Sequence, residues 1–560
     1  MALTKTHNRM LSGAVISAFD YDGDNAGEQI ANAIDGLPVG GGVIDARGFT
    51  GTQTIASDIF ASRTTPFTLL LGEAIFEIDL TSYGLSLNSN QQVILNGTTC
   101  QPSTSNPTGF STTASFFRSN ITETTGTISA SSASLVLASV AGLEVGSLVA
   151  VNGASGVNTN SQTTLSSTID GSVTTIPLVD ASDLPATYTV FIGSEIIIGT
   201  EKSGNDLINV TRGVYGTSPV GHTSGDTVSL SPYFRAVVES IAGTTVTLSG
   251  NATTAVTSAR VLYGITNSSV SGIGIIDGRS DRTIAAPAKN SFGIFLNLAT
   301  RFTIGDDLVF RKWDHGGVHL QSSWSNYVGG RYYANSRPAD STGANLWLFR
   351  NSSFNVVNIA EMTDSYVGLY IDDRTSSANL YDGSSNKNTI SLPFVSATTN
   401  AIEISGSNNN TIVAGFVQST SSTAISVATN SQGSTLRSAD SNTIRVGAVS
   451  GSPAAASIRN SNNYIEIGST DGGIDVASTC DSYVSVKDGT SAGEYLGSAV
   501  VNPTWFHQAK EGGAIRIAST EVSMVADEEI GRFEVYGSEA SSPGAGVKGA
   551  ITVEDAGGTG

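Results

Sequence analysis

Five carboxylates lie close together in the second half of the sequence: Glu361, Asp364, Asp372, Asp373 and Glu403. Two carboxyl groups about 6.5 to 9.5 Å apart can hydrolyse a glycosidic bond with inversion, because one protonates the leaving oxygen while the other activates a water. If Asp372 and Glu403 lie on adjacent parallel strands, two residues out of register, their α-carbons are roughly 8 Å apart. We name them as the candidate catalytic pair, with the other three as alternatives for either partner.

Aromatic residues are concentrated around these carboxylates, and three of the four tryptophans fall between 313 and 347. Alternation along each strand puts Val318 and Leu346 inside and therefore the next residues outside, one above the other. Apolar sugar faces can stack on such rings, with polar groups fixing the hydroxyls. The candidate substrate contacts are His319, Trp347, Tyr370, Trp313, Trp324, Arg350 and Phe349. In the alternative interpretation, the rings pack under a long loop or against a neighbouring subunit.

A second chemistry is β-elimination of a uronic-acid polymer, for which Arg350 is available. It would need a cation to stabilise the enolate, and no calcium cluster is evident. Asp20, Asp22 and Asp24 have the spacing of a calcium loop, but its turn glycine and bidentate glutamate are replaced by Asn25 and Ala31. We therefore predict no metal and no cofactor.

The residues after 265 fall into two kinds of strand that alternate along the chain. One kind reads "GIFL" (293), "GVHL" (317) and "NLWL" (345), and the other follows a polar turn, as in "NYVGG" (326), "NVVNI" (355) and "NTIVAG" (410). The offset between them recurs, with ten residues from Ile294 to Ile304 and from Ile402 to Ile412. This pattern predicts a parallel β-solenoid. An antiparallel sandwich, the alternative, does not explain the fixed offset.

The asparagines that begin the second kind of strand are expected at the same bend in every coil. There a small polar side chain can bond the neighbouring turn and tolerate a left-handed backbone. The segment "NAGEQIANAIDGL" predicts a short helix, with Asn25 as its cap and Glu28 as the capping-box partner. We expect this amphipathic helix to cover the open end of the first coil.

Composition excludes several classes of protein. The formal charge of −20 argues against nucleic acid or an anionic membrane as a partner, since both require a basic face. Cys100 and Cys480 suggest no disulfide framework. The first ten residues lack the apolar core of a signal peptide, and no segment approaches a membrane span. We expect synthesis in a cytoplasm without export by the usual route, and no membrane insertion.

The entry segment from "LTKTHNRM" to "GGGVIDA" and the Asn-anchored coils from 293 to 487 resemble the bacteriophage tailspikes and tail fibres of the pectate-lyase-like superfamily. The resemblance implies an all-β, right-handed parallel β-helix and a homotrimer. The expected domains are an N-terminal segment with capping helix (1–40), first coils (41–120), an inserted β domain (121–258) with a nested module at about 172–230, the main β-helix (259–490) and a C-terminal trimerisation region (491–560).

The pectin hydrolases of this superfamily carry a set of motifs of which "IDDR" (371) supplies only one, so their catalytic roles are not transferred. The resemblance implies a protein of the virion tail that recognises a host surface polysaccharide (capsule, O-antigen or exopolysaccharide) and contacts tail or baseplate proteins. The candidate residues add cleavage of that polysaccharide, by hydrolysis rather than elimination. The alternatives are a receptor-binding fibre without activity and a bacterial surface adhesin.

Overall fold

The computed structural model is almost entirely β structure. It describes residues 14–80, 84–104, 115–155, 162–182, 184, 188–230, 233–279, 291–335, 343–372, 385–428, 439–451, 454–459, 462–471, 473–476, 482–489, 493–496, 529–536 and 547–554.

Most strands wind into a parallel β-helix with three walls, which confirms the predicted solenoid. The first wall contains β1 (Ala14–Ser17), β2 (Gly42–Ala46), β4 (Phe67–Leu71), β24 (Thr303–Ile304), β27 (Tyr327–Val328) and β30 (Val356–Asn358). The second wall contains β3 (Gly51–Ile55), β5 (Ala74–Ile78), β25 (Leu308–Arg311), β28 (Arg331–Tyr333) and β31 (Glu361–Ser365).

Seven longer strands run through both of these walls: β7 (Gln91–Pro102), β22 (Ser269–Asp277), β33 (Thr389–Ala397), β35 (Thr411–Ser419), β37 (Thr443–Ser450), β39 (Tyr464–Thr470) and β41 (Tyr483–Gly489). The third wall is a sheet of β6 (Leu85–Leu87), β8 (Ser115–Ser119), β23 (Phe292–Asn297), β26 (Gly316–Gln321), β29 (Ala344–Phe349), β32 (Val367–Asp372), β34 (Ile402–Ser405), β36 (Ile425–Ala428), β38 (Ala454–Ile458) and β40 (Gly473–Val476).

An apolar column fills the interior behind each wall, because alternate residues of a strand face the same side. On the first wall, Ile304 pairs with Val328, which pairs with Val357, and all three are 0–1% exposed. The third wall contributes Ile294, Val318 and other fully buried residues to the same interior cluster. In the described residues between 290 and 490 the strand pairs are parallel, which excludes the sandwich alternative. β42 (Gly493–Leu496) then pairs antiparallel with β41.

A ladder of buried asparagines marks the bend before the first wall, in the position that the sequence predicts. Each side-chain amide of Asn326, Asn355, Asn388, Asn410 and Asn442 donates to the side-chain oxygen of the next member, with distances of 2.9–3.1 Å and Asn463 as the last acceptor. The same oxygen also accepts from the preceding member's backbone N–H, as in Asn355 to Asn388 at 3.0 Å. Every rung therefore joins two coils through both backbone and side chain.

The left-handed residue of this bend is not the asparagine itself, as the sequence analysis expected, but the residue before it. Ser325, Phe354, Lys387, Asn409 and Ser441 have φ between 57° and 60°. The side chain of the ladder asparagine bonds the neighbouring coil, and the residue before it adopts the left-handed conformation of the turn. We call these exposed left-handed positions the corner column.

The predicted helix is α1 (Ala26–Asp35), with Asn25 at its N-cap. The Asn25 side chain accepts from Glu28 N–H at 3.1 Å and donates to the Glu28 carboxylate at 3.0 Å. Ile30, Ala33 and Ile34 pack into the interior cluster of the β-helix. The stacking starts before the helix, because β1 already pairs in parallel with β2.

A separate barrel interrupts the β-helix between β8 and β22. It is closed by β9 (Thr122–Ile128), β10 (Ser134–Leu137), β11 (Leu148–Val151), β19 (Phe234–Ala242), β20 (Thr245–Leu248) and β21 (Val256–Tyr263). β21 pairs with both β9 and β11. The barrel therefore extends to Tyr263, past the predicted boundary at 258.

Between β11 and β19 lie the strands of a nested module: β12 (Gln162–Thr164), β13 (Ile176–Pro177), β14 (Tyr188–Ile192), β15 (Glu195–Gly199), β16 (Glu201–Ser203), β17 (Asp206–Ile208) and β18 (Thr227–Leu230). Its buried Glu195 accepts two hydrogen bonds from the Arg212 guanidinium at 2.6 and 2.7 Å and contacts His222 Nε2 at 2.8 Å. Burial by itself would raise the pKa of Glu195, but these hydrogen bonds outweigh it and lower the pKa.

Residues 503–560 form a second compact unit. In it, β43 (Glu529–Tyr536) and β44 (Val547–Glu554) pair antiparallel.

We predict that Asn388→Ala weakens the β-helix. The change removes both ladder bonds of Asn388 and its 2.9 Å bond to the Ser352 carbonyl, leaving buried polar groups unpaired. The expected loss is about 2 kcal/mol or more, measured as a lower apparent melting temperature and faster unfolding in guanidinium. Thr389→Ala, on the exposed side of the next position, is the control and should change stability by about 0.5 kcal/mol or less. Equal effects of both variants would contradict the ladder's role.

Candidate functional site

The outer face of the third wall carries the side chains that the sequence analysis singled out, in the predicted register. Phe295 pairs with His319, His319 with Trp347, Trp347 with Tyr370 and Tyr370 with Glu403. We call this set the aromatic column. The neighbouring outer column runs through Asn297, Gln321, Phe349, Asp372 and Ser405.

This register brings Asp372 and Glu403 to adjacent coils. Because Asp372 pairs with Ser405, the two carboxylates are offset by one coil and two residues. Their α-carbons are therefore roughly 8 Å apart, the separation estimated from the sequence. Asp372 is fully buried, whereas Glu403 is half-buried and accepts a 2.8 Å hydrogen bond from the Asn400 side chain.

The aromatic column is closed off rather than open to solvent. His319, Trp347 and Tyr370 are 6–7% exposed. His319 stacks on Trp347 with centroids 5.0 Å apart, and Trp347 stacks on Tyr370 at 5.3 Å. With Phe292, Phe295 and Phe349 these rings form a cluster distinct from the interior one. The packing alternative therefore describes this state of the rings better than an open platform for sugars.

His319 is the most unusual group of the column. Besides Trp347, its ring meets Phe292 at 4.7 Å, Phe295 at 5.1 Å and Phe349 at 5.4 Å. Within the part of the chain that the structure describes, neither ring nitrogen has a hydrogen-bond partner. Burial in this apolar surrounding, with His315 and Arg350 adding repulsion, holds the pKa of His319 well below its ordinary value. The ring is therefore neutral at neutral pH.

Arg350 lies at the edge of the same cluster, with its guanidinium 4.4 Å from the Phe349 ring centroid. It is 7% exposed and its φ is 44°, a left-handed conformation that is uncommon for a residue with a side chain. Its backbone N–H donates to the Asp372 carbonyl at 3.1 Å. The strand end after Phe349 thus holds a buried arginine whose backbone is hydrogen-bonded to the backbone of the candidate Asp372.

The remaining predicted residues lie elsewhere. Trp313 is 1% exposed in the interior cluster and donates to the Ile276 carbonyl at 3.0 Å, so it faces the core rather than the outer surface. Trp324 is half-buried at the bend after the third wall. Glu361 and Asp364 lie on β31 of the second wall, where Glu361 accepts from the Tyr333 hydroxyl at 2.7 Å. Asp373 falls outside the described residues.

Two members of the cluster were missed in the sequence analysis. His315 stacks on Trp347 at 5.1 Å, and Phe292 packs against Phe295 at 5.9 Å. Their proximity to the column was visible in the sequence, since Phe292 stands three residues before Phe295 and His315 stands four residues before His319. Phe292 breaks the alternation that identified the column, and His315 keeps it but stands just before β26 begins.

The described residues contain no set of three or more His, Cys, Asp or Glu side chains placed to hold a metal ion. In the same residues, no helix has both the length and the apolar character needed to cross a bilayer.

No protein-family model and no curated protein matches this sequence. Solved structures similar to it include the tailspike of Acinetobacter baumannii bacteriophage AP22 in complex with capsular saccharide, with 11% identity, 76% of this chain and 67% of that chain covered, and a TM-score of 0.25. The tailspike of Pseudomonas phage LKA1 is also similar, with 11% identity and a TM-score of 0.27. The match covers 83% of this chain and 72% of that chain.

The Streptococcus pneumoniae surface adhesin PfbA is another similar structure, with 11% identity and a TM-score of 0.36. The match covers 86% of this chain and 93% of that chain.

We predict that His319 makes the β-helix sensitive to mild acid. Because its folded pKa is depressed, its neutral form stabilises the fold above the unfolded pKa of about 6.5, and this stability is lost as pH falls below that value. His319→Phe should flatten the fall in melting temperature between about pH 7.5 and about pH 5, measured by circular dichroism. An unchanged pH profile would show that His319 is not the group that titrates.

Proposed function

We propose that this chain is a phage tailspike or tail fibre that binds a host cell-surface polysaccharide and cleaves its glycosidic bonds. The observation that supports it is the pairing register that sets Asp372 and Glu403 on adjacent coils beside a column of aromatic rings. Capsule, O-antigen and exopolysaccharide are the glycan classes considered.

The two carboxylates differ in access to water, which suggests their roles. A base that activates water must be reachable by water, so the half-buried Glu403 is assigned as the general base. The fully buried Asp372 is assigned as the general acid that protonates the leaving oxygen. Tyr370 and Trp347, directly beneath Glu403 in the column, would face the sugars of neighbouring subsites.

Burial sets a condition on this mechanism. With Tyr370, Trp347 and Asp372 at most 7% exposed, a glycan reaches them only if their surroundings open on binding. Hydrolysis is favoured over elimination because the paired carboxylates can supply both the acid and the base.

The same burial favours a second candidate function, a receptor-binding fibre without enzymatic activity. In that case the aromatic column is a second core that stiffens the third wall, and recognition takes place on the exposed faces. A bacterial surface adhesin is the weaker third alternative.

For the assembly, we propose a homotrimer on the virion tail, joined to tail or baseplate proteins, with residues 491–560 contributing to trimerisation and α1 covering the first coil. We propose a right-handed winding of the coils, with no nucleic acid, membrane insertion or cofactor involved. These points rest on the resemblance found in the sequence.

The proposal predicts that Asp372→Asn and Glu403→Gln each abolish release of reducing ends from a polysaccharide that the protein binds. Asp475→Asn is the matched control, since Asp475 lies further along Glu403's column, through Ser426 and Ser457. It should retain full activity. Unsaturated products would favour elimination, and no products at all from a bound glycan would leave the receptor-binding fibre.

A further inference from the structure

Phe354 is an aromatic residue in a position that disfavours it. It belongs to the corner column, with φ of 60°, and the residue is 48% exposed. A left-handed backbone is unfavourable for any residue with a Cβ and is an outlier for a bulky one. The other corner residues on neighbouring coils are Ser325, Lys387 and Asn409, which are polar. The fold alone gives no reason for a phenylalanine here.

A second ring lies beside it. The Trp324 centroid is 6.2 Å from that of Phe354, with the planes at 69°. The Trp324 indole donates to the Asn351 carbonyl at 2.8 Å, which fixes its orientation. The two rings therefore form a pre-oriented aromatic pair at the surface, with Trp324 half-buried and Phe354 about half exposed.

The pair borders the inserted barrel. Trp324 packs against an apolar cluster that contains Leu148, Ala150, Tyr233 and Leu262 of the barrel segment together with Leu298 of the β-helix. Junctions of this kind between two bodies are where binding sites for small ligands tend to occur. The aromatic pair is thus placed at the seam between the solenoid and its insertion.

A cation completes the arrangement. Lys387, the corner residue of the next coil, has its ammonium 5.3 Å from the Phe354 ring centroid. Its backbone is also left-handed, with φ of 57°. On a chain with formal charge −20, a lysine directly over an exposed ring supplies a local positive charge for an anionic group. A sugar stacked on Phe354 would hold its own substituents within reach of this ammonium.

We propose that Trp324, Phe354 and Lys387 form a binding subsite for an acidic polysaccharide, in which a pyranose stacks on Phe354 and its carboxylate pairs with Lys387. The inference rests on the proposed polysaccharide recognition and adds the charge class of the glycan. It differs from the third-wall site in that its rings are accessible without any opening.

The test uses Phe354→Asn, because asparagine suits a left-handed backbone better than phenylalanine does. If Phe354 serves binding, this variant keeps or raises the melting temperature and weakens glycan binding by about tenfold or more. Ser441→Asn, at the corner position further along the solenoid with φ of 58°, is the matched control and leaves binding unchanged.

The probes are bacterial capsular and O-antigen polysaccharides on an array, with each acidic polymer paired with its carboxyl-reduced form. The wild-type protein should prefer the acidic form, increasingly so at low salt. Lys387→Gln should reduce the affinity for the acidic form to that for the reduced one, whereas Phe354→Asn should weaken both.

The outcomes separate the two proposals. If the wild-type protein binds no glycan of the panel, the proposed function fails. If it binds but Phe354→Asn binds equally well, or if that variant is less stable than Ser441→Asn, the subsite fails and the proposed function stands. Equal binding of the acidic and reduced forms overturns the charge assignment.

Discussion

Each asparagine of the buried ladder holds its own coil and the next at a single register, and the other features of the solenoid follow from that register. The side-chain oxygen of Asn388 accepts from both the amide side chain and the backbone N–H of Asn355, so a slip by one residue would break both bonds. A slip would also turn an interior column outward, because the side chains of a strand alternate. Polar and apolar contacts therefore select the same pairing.

The register also determines which side chains become neighbours on the outer faces, and therefore which chemistry those faces can do. Asp372 and Glu403 are far apart in the chain and become neighbours only because Tyr370 pairs with Glu403. The same holds for Phe354 and Lys387, which meet because their coils stack directly. The two candidate sites differ in their state: the third-wall column is a sealed second core, whereas the corner pair meets solvent. An enzyme would use the first, and a receptor-binding fibre needs only the second.

Much of this arrangement was predictable from local pattern. The ten-residue offset predicted the alternation of third-wall and first-wall strands, and strict alternation placed His319, Trp347 and Tyr370 in one column. Three features were not predictable. Burial of that column depends on what packs over the wall, which has no periodic signal. Trp313 turns inward because it stands after a strand end, where alternation no longer applies. The sequence analysis placed the left-handed conformation on the ladder asparagine, one position after the residue that adopts it. The reason is that asparagine favours both that conformation and the ladder position that it occupies here.

The insertion between β8 and β22 has a consequence for how the chain is made. β22 adds directly to β7, so one coil of the stack is separated from the next by the whole barrel and its nested module. At synthesis rates of about 5 to 20 residues per second, the ribosome takes on the order of ten to thirty seconds to supply the next rung. During that time the growing end of the solenoid is an unpaired edge that could pair with another chain. An insertion that folds quickly by itself would shield this edge and bring the two halves of the solenoid together.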